Sequence, residues 1–102
     1  MIHVIATIEL NPGARDEFLK HFHALVPLVH EEAGCLEYGP TVDAATDIPA
    51  QAPLREDVVV VVEKWESVDA LKAHLVAPHM QSYRENVKSL VKGMTLHILQ
   101  PA

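Results

Sequence analysis

Val58-Val-Val-Val-Val-Glu-Lys-Trp-Glu-Ser-Val-Asp-Ala-Leu-Lys-Ala-His74 is the stretch that decides how this chain folds. Five consecutive valines, Val58 to Val62, open it. Their β-branched side chains are stiff and pack well on a pleated surface, so a strand is expected from Val58 to about Trp65. Apolar residues at successive positions imply that both faces of that strand are buried. Ser67 then supplies a hydroxyl for the free N–H groups of a helix start, and Asp69 puts a carboxylate in the positive first turn, which predicts a helix over 68–76. Pro78 can open a further helix with Met80, Tyr83, Val87 and Leu90 or Val91 on its apolar stripe, closed by Gly93.

The same reading extends outward. Residues 2–10 alternate Ile2, Val4, Ala6, Ile8 and Leu10 with His3, Ile5, Thr7 and Glu9, a strand with one fully apolar face. Asn11-Pro12-Gly13 is expected to start a helix, with Asn11 as cap and Pro12 in the first turn. Phe18, Leu19, Phe22, Leu25, Val26, Val29 and Ala33 keep the helical period. The stripe holds its phase across Pro27, so one bent helix is expected, ending at Gly34. Cys35 to Val42 reads as a second strand. Residues 43–57, with Pro49 and Pro53, read as a long surface loop or arm. Met94 to Gln100 alternates again as a last strand. Strand, helix, strand, strand, helix, strand is the order of a ferredoxin-like α+β fold, an antiparallel sheet with helices on one face. Helices cover only one face, yet Ile5, Leu99 and alternate valines line the other. A second copy packed sheet to sheet is the economical cover, giving a homodimer.

With 102 residues and 49% hydrophobic content the chain suits a single domain over 1–102. Its net charge of −6, from 14 acidic and 8 basic residues, speaks against nucleic acid and anionic membranes as partners. The lone Cys35 excludes an intrachain disulfide and fits a reducing cytoplasm. Met1-Ile-His-Val-Ile-Ala-Thr7 has no basic segment followed by an apolar core, so neither a signal peptide nor a transmembrane span is expected.

Glu32-Ala-Gly-Cys-Leu-Glu-Tyr38, the Glu63–His74 stretch continued by Leu75, and Pro78-His79-Met80 together resemble the antibiotic biosynthesis monooxygenase family, in particular its small bacterial quinol monooxygenase type. The resemblance covers nearly the whole chain. It implies a dimeric α+β barrel whose helices and sheet enclose a pocket in each protomer. It also implies oxygenation of an electron-rich quinol or polyphenol by dioxygen without metal, flavin or haem. The 43–57 segment is longer than in the shorter family members. Haem-degrading relatives use an asparagine where the first strand here offers Thr7.

Several side chains carry this chemistry. His74 matches the histidine of the family's Ala-His-Leu motif, and an imidazole near neutral pKa could take a proton from a quinol hydroxyl; read without the motif, it is a helix residue bonded to a neighbouring strand. Glu63 sits on an apolar strand and needs a partner, either His74, which it would orient, or a cation in a structural pair. Trp65 could stack on a flat substrate or belong to the core. His79 and Tyr83, four apart on one helix face, could line the pocket with Met80, and Tyr38 could line it or plug the sheet edge. His3 and His97 could meet in the cavity or at a dimer seam. The histidines lack the one-turn spacing of a helical metal site: His23 and His30 lie roughly 10 Å apart along a helix. No metal and no cofactor is expected. Two further readings stay open on this fold: an isomerase of a small phosphorylated or carbonyl compound, drawing on Arg84, Lys64, Lys72 or Arg55 as anion-binding cation, and a non-enzymatic stress-response or binding dimer with a narrow or filled pocket.

Overall fold

The computed structural model describes residues 1–102. Its elements are β1 (Ile2–Leu10), α1 (Arg15–His30), β2 (Cys35–Thr41), β3 (Val58–Trp65), α2 (Val68–Leu75), α3 (Pro78–Val87) and β4 (Val91–Leu99). The strands form one antiparallel sheet in the order β2-β3-β1-β4, the ferredoxin-like arrangement expected from the sequence. No helix is long and apolar enough to cross a membrane.

Register sorts the side chains. Val4, Ala6 and Ile8 of β1 pair with Glu63, Val61 and Val59 of β3, and all six are buried under the helices. From α1 they receive Phe18, Phe22, Leu25 and Val29, one stripe at helical spacing. The opposite face carries Ile5 between Val62 and His97, and Thr7 between Val60 and Thr95. Here the expectation of a strand buried twice over is met on one side only. Val59 and Val61 are 0% and 2% exposed, whereas Val58, Val60 and Val62 are half-buried, because this chain has no second layer to place over them.

Three boundaries differ from expectation. α1 begins at Arg15 because Gly13 adopts φ +78°, a left-handed turn that a helix cannot continue through. Asn11, expected as a cap, instead donates its side-chain amide to Ser89 O at 2.9 Å and ties this turn to the α3–β4 link. At the other end α1 stops at His30, and residues 31–34 form a turn that Gly34 completes at φ +82°. Pro27 lies inside the helix without dividing it. Pro27 and His23, whose carbonyl loses its partner, are both exposed, so water can replace the missing bond. Gly93, expected to close a helix, lies in β4 opposite Glu9.

The 43–57 arm has no regular element but has a locked base. Arg55 donates from Nε and Nη2 to the two carboxylate oxygens of Asp43, each at 2.9 Å, and its backbone N–H donates to Oδ2 at 2.9 Å. That fork holds the Asp43 carboxyl down to about 2.

Candidate active site

A cavity of about 350 Å³ lies between the helix-covered face of the sheet and α3. Ala6, Ile8 and Val61 form its floor, Met80, Tyr83 and Val87 its helical wall, and Met94 and Leu96 of β4 its outer side. Four polar or charged groups interrupt this apolar lining: Glu63, His74, Arg84 and Lys88.

β3 alternates, so Val61, Glu63 and Trp65 all point under the helices. Glu63 is 5% exposed, and its Oε1 accepts a hydrogen bond from Trp65 Nε1–H at 2.9 Å. Burial pushes its carboxyl up to about 7; the Trp65 bond opposes this and the Glu32 carboxylate adds to it. Tyr38 faces Glu63 across the β2–β3 ladder and lines the cavity. Burial raises the Tyr38 and Tyr83 phenols well above the ordinary range, so both stay protonated donors.

His74 is delivered by α2, whose start is fixed by Ser67 accepting from Ala70 N–H at 3.1 Å. It is 1% exposed. Its Nδ1 lies 2.9 Å from Glu32 Oε2 and 3.2 Å from Oε1. A carboxylate accepts, so Nδ1 carries the proton and Nε2 keeps the lone pair. Burial lowers the His74 pKa and outweighs the raising effect of Glu32, which keeps the ring neutral near pH 7. Nε2 has no hydrogen-bond partner in the protein, yet no buried side-chain polar atom is both sealed and unpartnered. It is therefore open to the cavity that His74 lines.

The sequence-derived residues separate into two groups. Glu63, His74, Tyr38, Met80 and Tyr83 converge on the cavity. Trp65 and His79 do not line it. Trp65 is 0% exposed and packs behind the site, its ring centroid 4.6 Å from that of His74. His79 shares a helix with Tyr83 but turns its Nε2 to Glu32 Oε2, at 2.7 Å. Neither partner expected for Glu63, His74 or a structural cation, is the one found: Glu63 is held by Trp65, and His74 by Glu32. His3 and His97 occupy the outer face of the sheet, away from the cavity. Cys35 is half-buried, and burial with the Glu32 and Glu63 carboxylates pushes its thiol up, the reverse of what a nucleophile needs.

Glu32 was not singled out from the sequence as a site residue. It lies in the turn after α1 and bridges two histidines that follow 42 and 47 residues later. The turn is drawn against α2 by Gly34, where an added Cβ would meet Ala70 Cβ at 2.6 Å, and by Glu66 N–H donating to Gly34 O at 2.9 Å. The signal available in the sequence was indirect: a histidine on the buried face of α2 must find an acceptor.

The profile of the antibiotic biosynthesis monooxygenase family matches residues 1–86. The chain belongs to that family. Among family relatives, the "Probable quinol monooxygenase YgiN" of Escherichia coli (strain K12) is 44% identical over 103 residues, covering 99% of this chain and 98% of the relative. A Caulobacter crescentus crystal structure superposes with a TM-score of 0.82 at 28% identity, over 99% of this chain and 89% of that one. Rv0793 of Mycobacterium tuberculosis gives 0.80 at 26%, over 99% and 94%. The family match takes in Glu32, Glu63, His74 and Tyr83, and leaves β4 outside it.

Proposed function

We propose that this chain is a cofactor-independent monooxygenase that oxidises a small quinol with dioxygen, working as a homodimer in the cytoplasm. The observation that carries the reading is the pairing at the cavity: an unpaired Nε2 on a neutral His74, and a Glu63 carboxyl pushed up to about 7, both opening on a largely apolar space. The family membership and the name of the Escherichia coli relative point to the same substrate class.

His74 Nε2 accepts the proton of a quinol hydroxyl. Glu32 fixes the ring and stabilises the imidazolium that forms. Glu63, its carboxyl raised toward neutrality by burial, takes or returns the second hydroxyl proton. The quinolate is electron-rich enough to reduce dioxygen. One oxygen atom enters the ring and the other leaves as water, so that quinol and dioxygen give a hydroxyquinone and water. The apolar walls keep bulk water from the reduced intermediate. At about 350 Å³ the cavity is at the small end of the usual ligand-site range of roughly 300–1,000 Å³ and suits one or two fused rings.

Purified protein given menadiol in air should consume oxygen faster than menadiol alone, and His74→Ala should lose about 10²- to 10⁴-fold of the enzymatic rate. Uptake at the non-enzymatic background with every quinol offered would reject the proposal. Of the cations an isomerase of a phosphorylated compound would use, Arg84 lines the cavity, whereas Lys64 pairs with Glu37 and Arg55 with Asp43. Product formed equally well without oxygen would replace oxygenation with isomerisation.

A further inference from the structure

The charged groups of this acidic chain are unevenly used. Arg55 and Lys64 are neutralised by carboxylates at 2.9 and 3.3 Å. Arg84 and Lys88 are not, although both line the cavity. Arg84 is on α3 and Lys88, four residues later, caps its end with a helical backbone, so they project from one face a single turn apart. Arg84 Nη2 donates to Leu75 O at 2.7 Å, which fixes the guanidinium beside the end of α2 and leaves its other donors free. Both are exposed, whereas Glu63 and His74 are buried. The cavity thus has a proton-accepting interior, an apolar middle and a cationic rim.

We infer that the natural substrate is not a neutral quinol but an aromatic diol or phenol bearing an anionic substituent, a carboxylate or phosphate ester. The ring and its hydroxyl occupy the apolar interior beside Glu63 and His74. The anion stays at the rim, where Arg84 presents a fork and Lys88 a mobile point charge. A substituent at that position keeps its hydration on one side, so neither ion has to be fully stripped of water. An unsubstituted ring leaves the two cations unanswered. This inference names the substrate of the site described above and rests on that reading for the location of the reacting hydroxyl.

The test compares unreactive probes by calorimetry at low salt, each with a free hydroxyl and the anions on the opposite ring: 5-hydroxy-1-naphthoate, 5-hydroxy-1-naphthyl phosphate and neutral 1-naphthol. The better anionic probe should bind the native protein about tenfold tighter than 1-naphthol. That ratio should fall in Arg84→Gln and in Lys88→Gln and approach one in the double variant. It should also shrink as salt is raised from 0.01 to about 0.5 M, as the screening length falls. The readout is a ratio of affinities, so a general loosening of the pocket does not imitate the effect. Whichever anion is preferred identifies the substituent. Equal binding of all three probes, failure of both anionic probes to bind, or a preference that survives the double variant would overturn the inference. Oxygen uptake with menadiol and with a carboxylated naphthoquinol separates the two claims. Uptake without anion preference removes only this inference, and anion preference without uptake of any quinol removes only the oxygenation.

Discussion

Burial acts on Glu63 and His74 with opposite sign, and pH should therefore act on them differently. The Glu63 carboxyl is raised from an ordinary 4.5 to about 7, so the folded state holds a proton there that the unfolded chain has already released. Stability from this group is fully present below 4.5 and is lost as pH climbs through 7, by at most about 3 kcal/mol. His74 is lowered, so its contribution is present above the ordinary imidazole value and is lost as pH falls. Glu63→Gln keeps an acceptor for Trp65 Nε1–H and removes the ionisation. It should stabilise the protein at pH 8 by about 1–3 kcal/mol in urea denaturation and leave it nearly unchanged at pH 4. An equal effect at both values would show that the carboxyl does not titrate between them. The sequence marks both residues by type, a carboxylate and an imidazole on otherwise apolar elements. It does not show their partners, because Glu32 and His74 meet only after β2, β3 and the arm have folded the chain back, and no spacing rule connects them.

At the scale of the element, the valine run and the alternation of β1 were enough to fix the sheet, since each strand's pattern is local. The ends of α1 were less legible. Asn11-Pro12-Gly13 has the composition of a helix start, but the Asn11 amide is claimed by Ser89 O, 78 residues away, and Gly13 takes a left-handed turn. The turn after α1 has the most consequence for function, because it carries Glu32. Gly34 there combines φ +82° with a prospective Cβ only 2.6 Å from Ala70 Cβ on α2. Gly34→Ala should cost about 2 kcal/mol or more, from left-handed strain plus displacement of the turn from α2. Gly39, with no positive φ and nothing within 4 Å of its prospective Cβ, serves as the comparison, and Gly39→Ala should cost less than half as much. Urea midpoints of the two variants measure the difference, and similar midpoints would mean that the Gly34–Ala70 approach relaxes freely.

For the whole molecule, the sequence implied more burial than one chain provides. β3 is apolar at five successive positions, but the helices reach only Val59 and Val61. Val60 and Val62 remain half-buried beside Ile5 and Thr7 on a face with no layer over it. A stable homodimer buries about 800 Å² from each partner, roughly an eighth of the 6525 Å² surface of this chain. Two such sheets packed face to face, with their strands inclined by about 30°, would bring the half-buried valines of both copies into one dry layer. The unaltered protein should then sediment at 22.6 kDa, twice the mass of the 11.3 kDa chain. Val60→Lys with Val62→Lys would put two ammonium groups into that layer from each copy, four in all. The variant should sediment at 11.3 kDa with its circular dichroism retained, because neither valine supports the helix-covered core. A native protein that sediments as one chain, or a folded variant that still sediments as two, would place the dimer contact elsewhere or remove it.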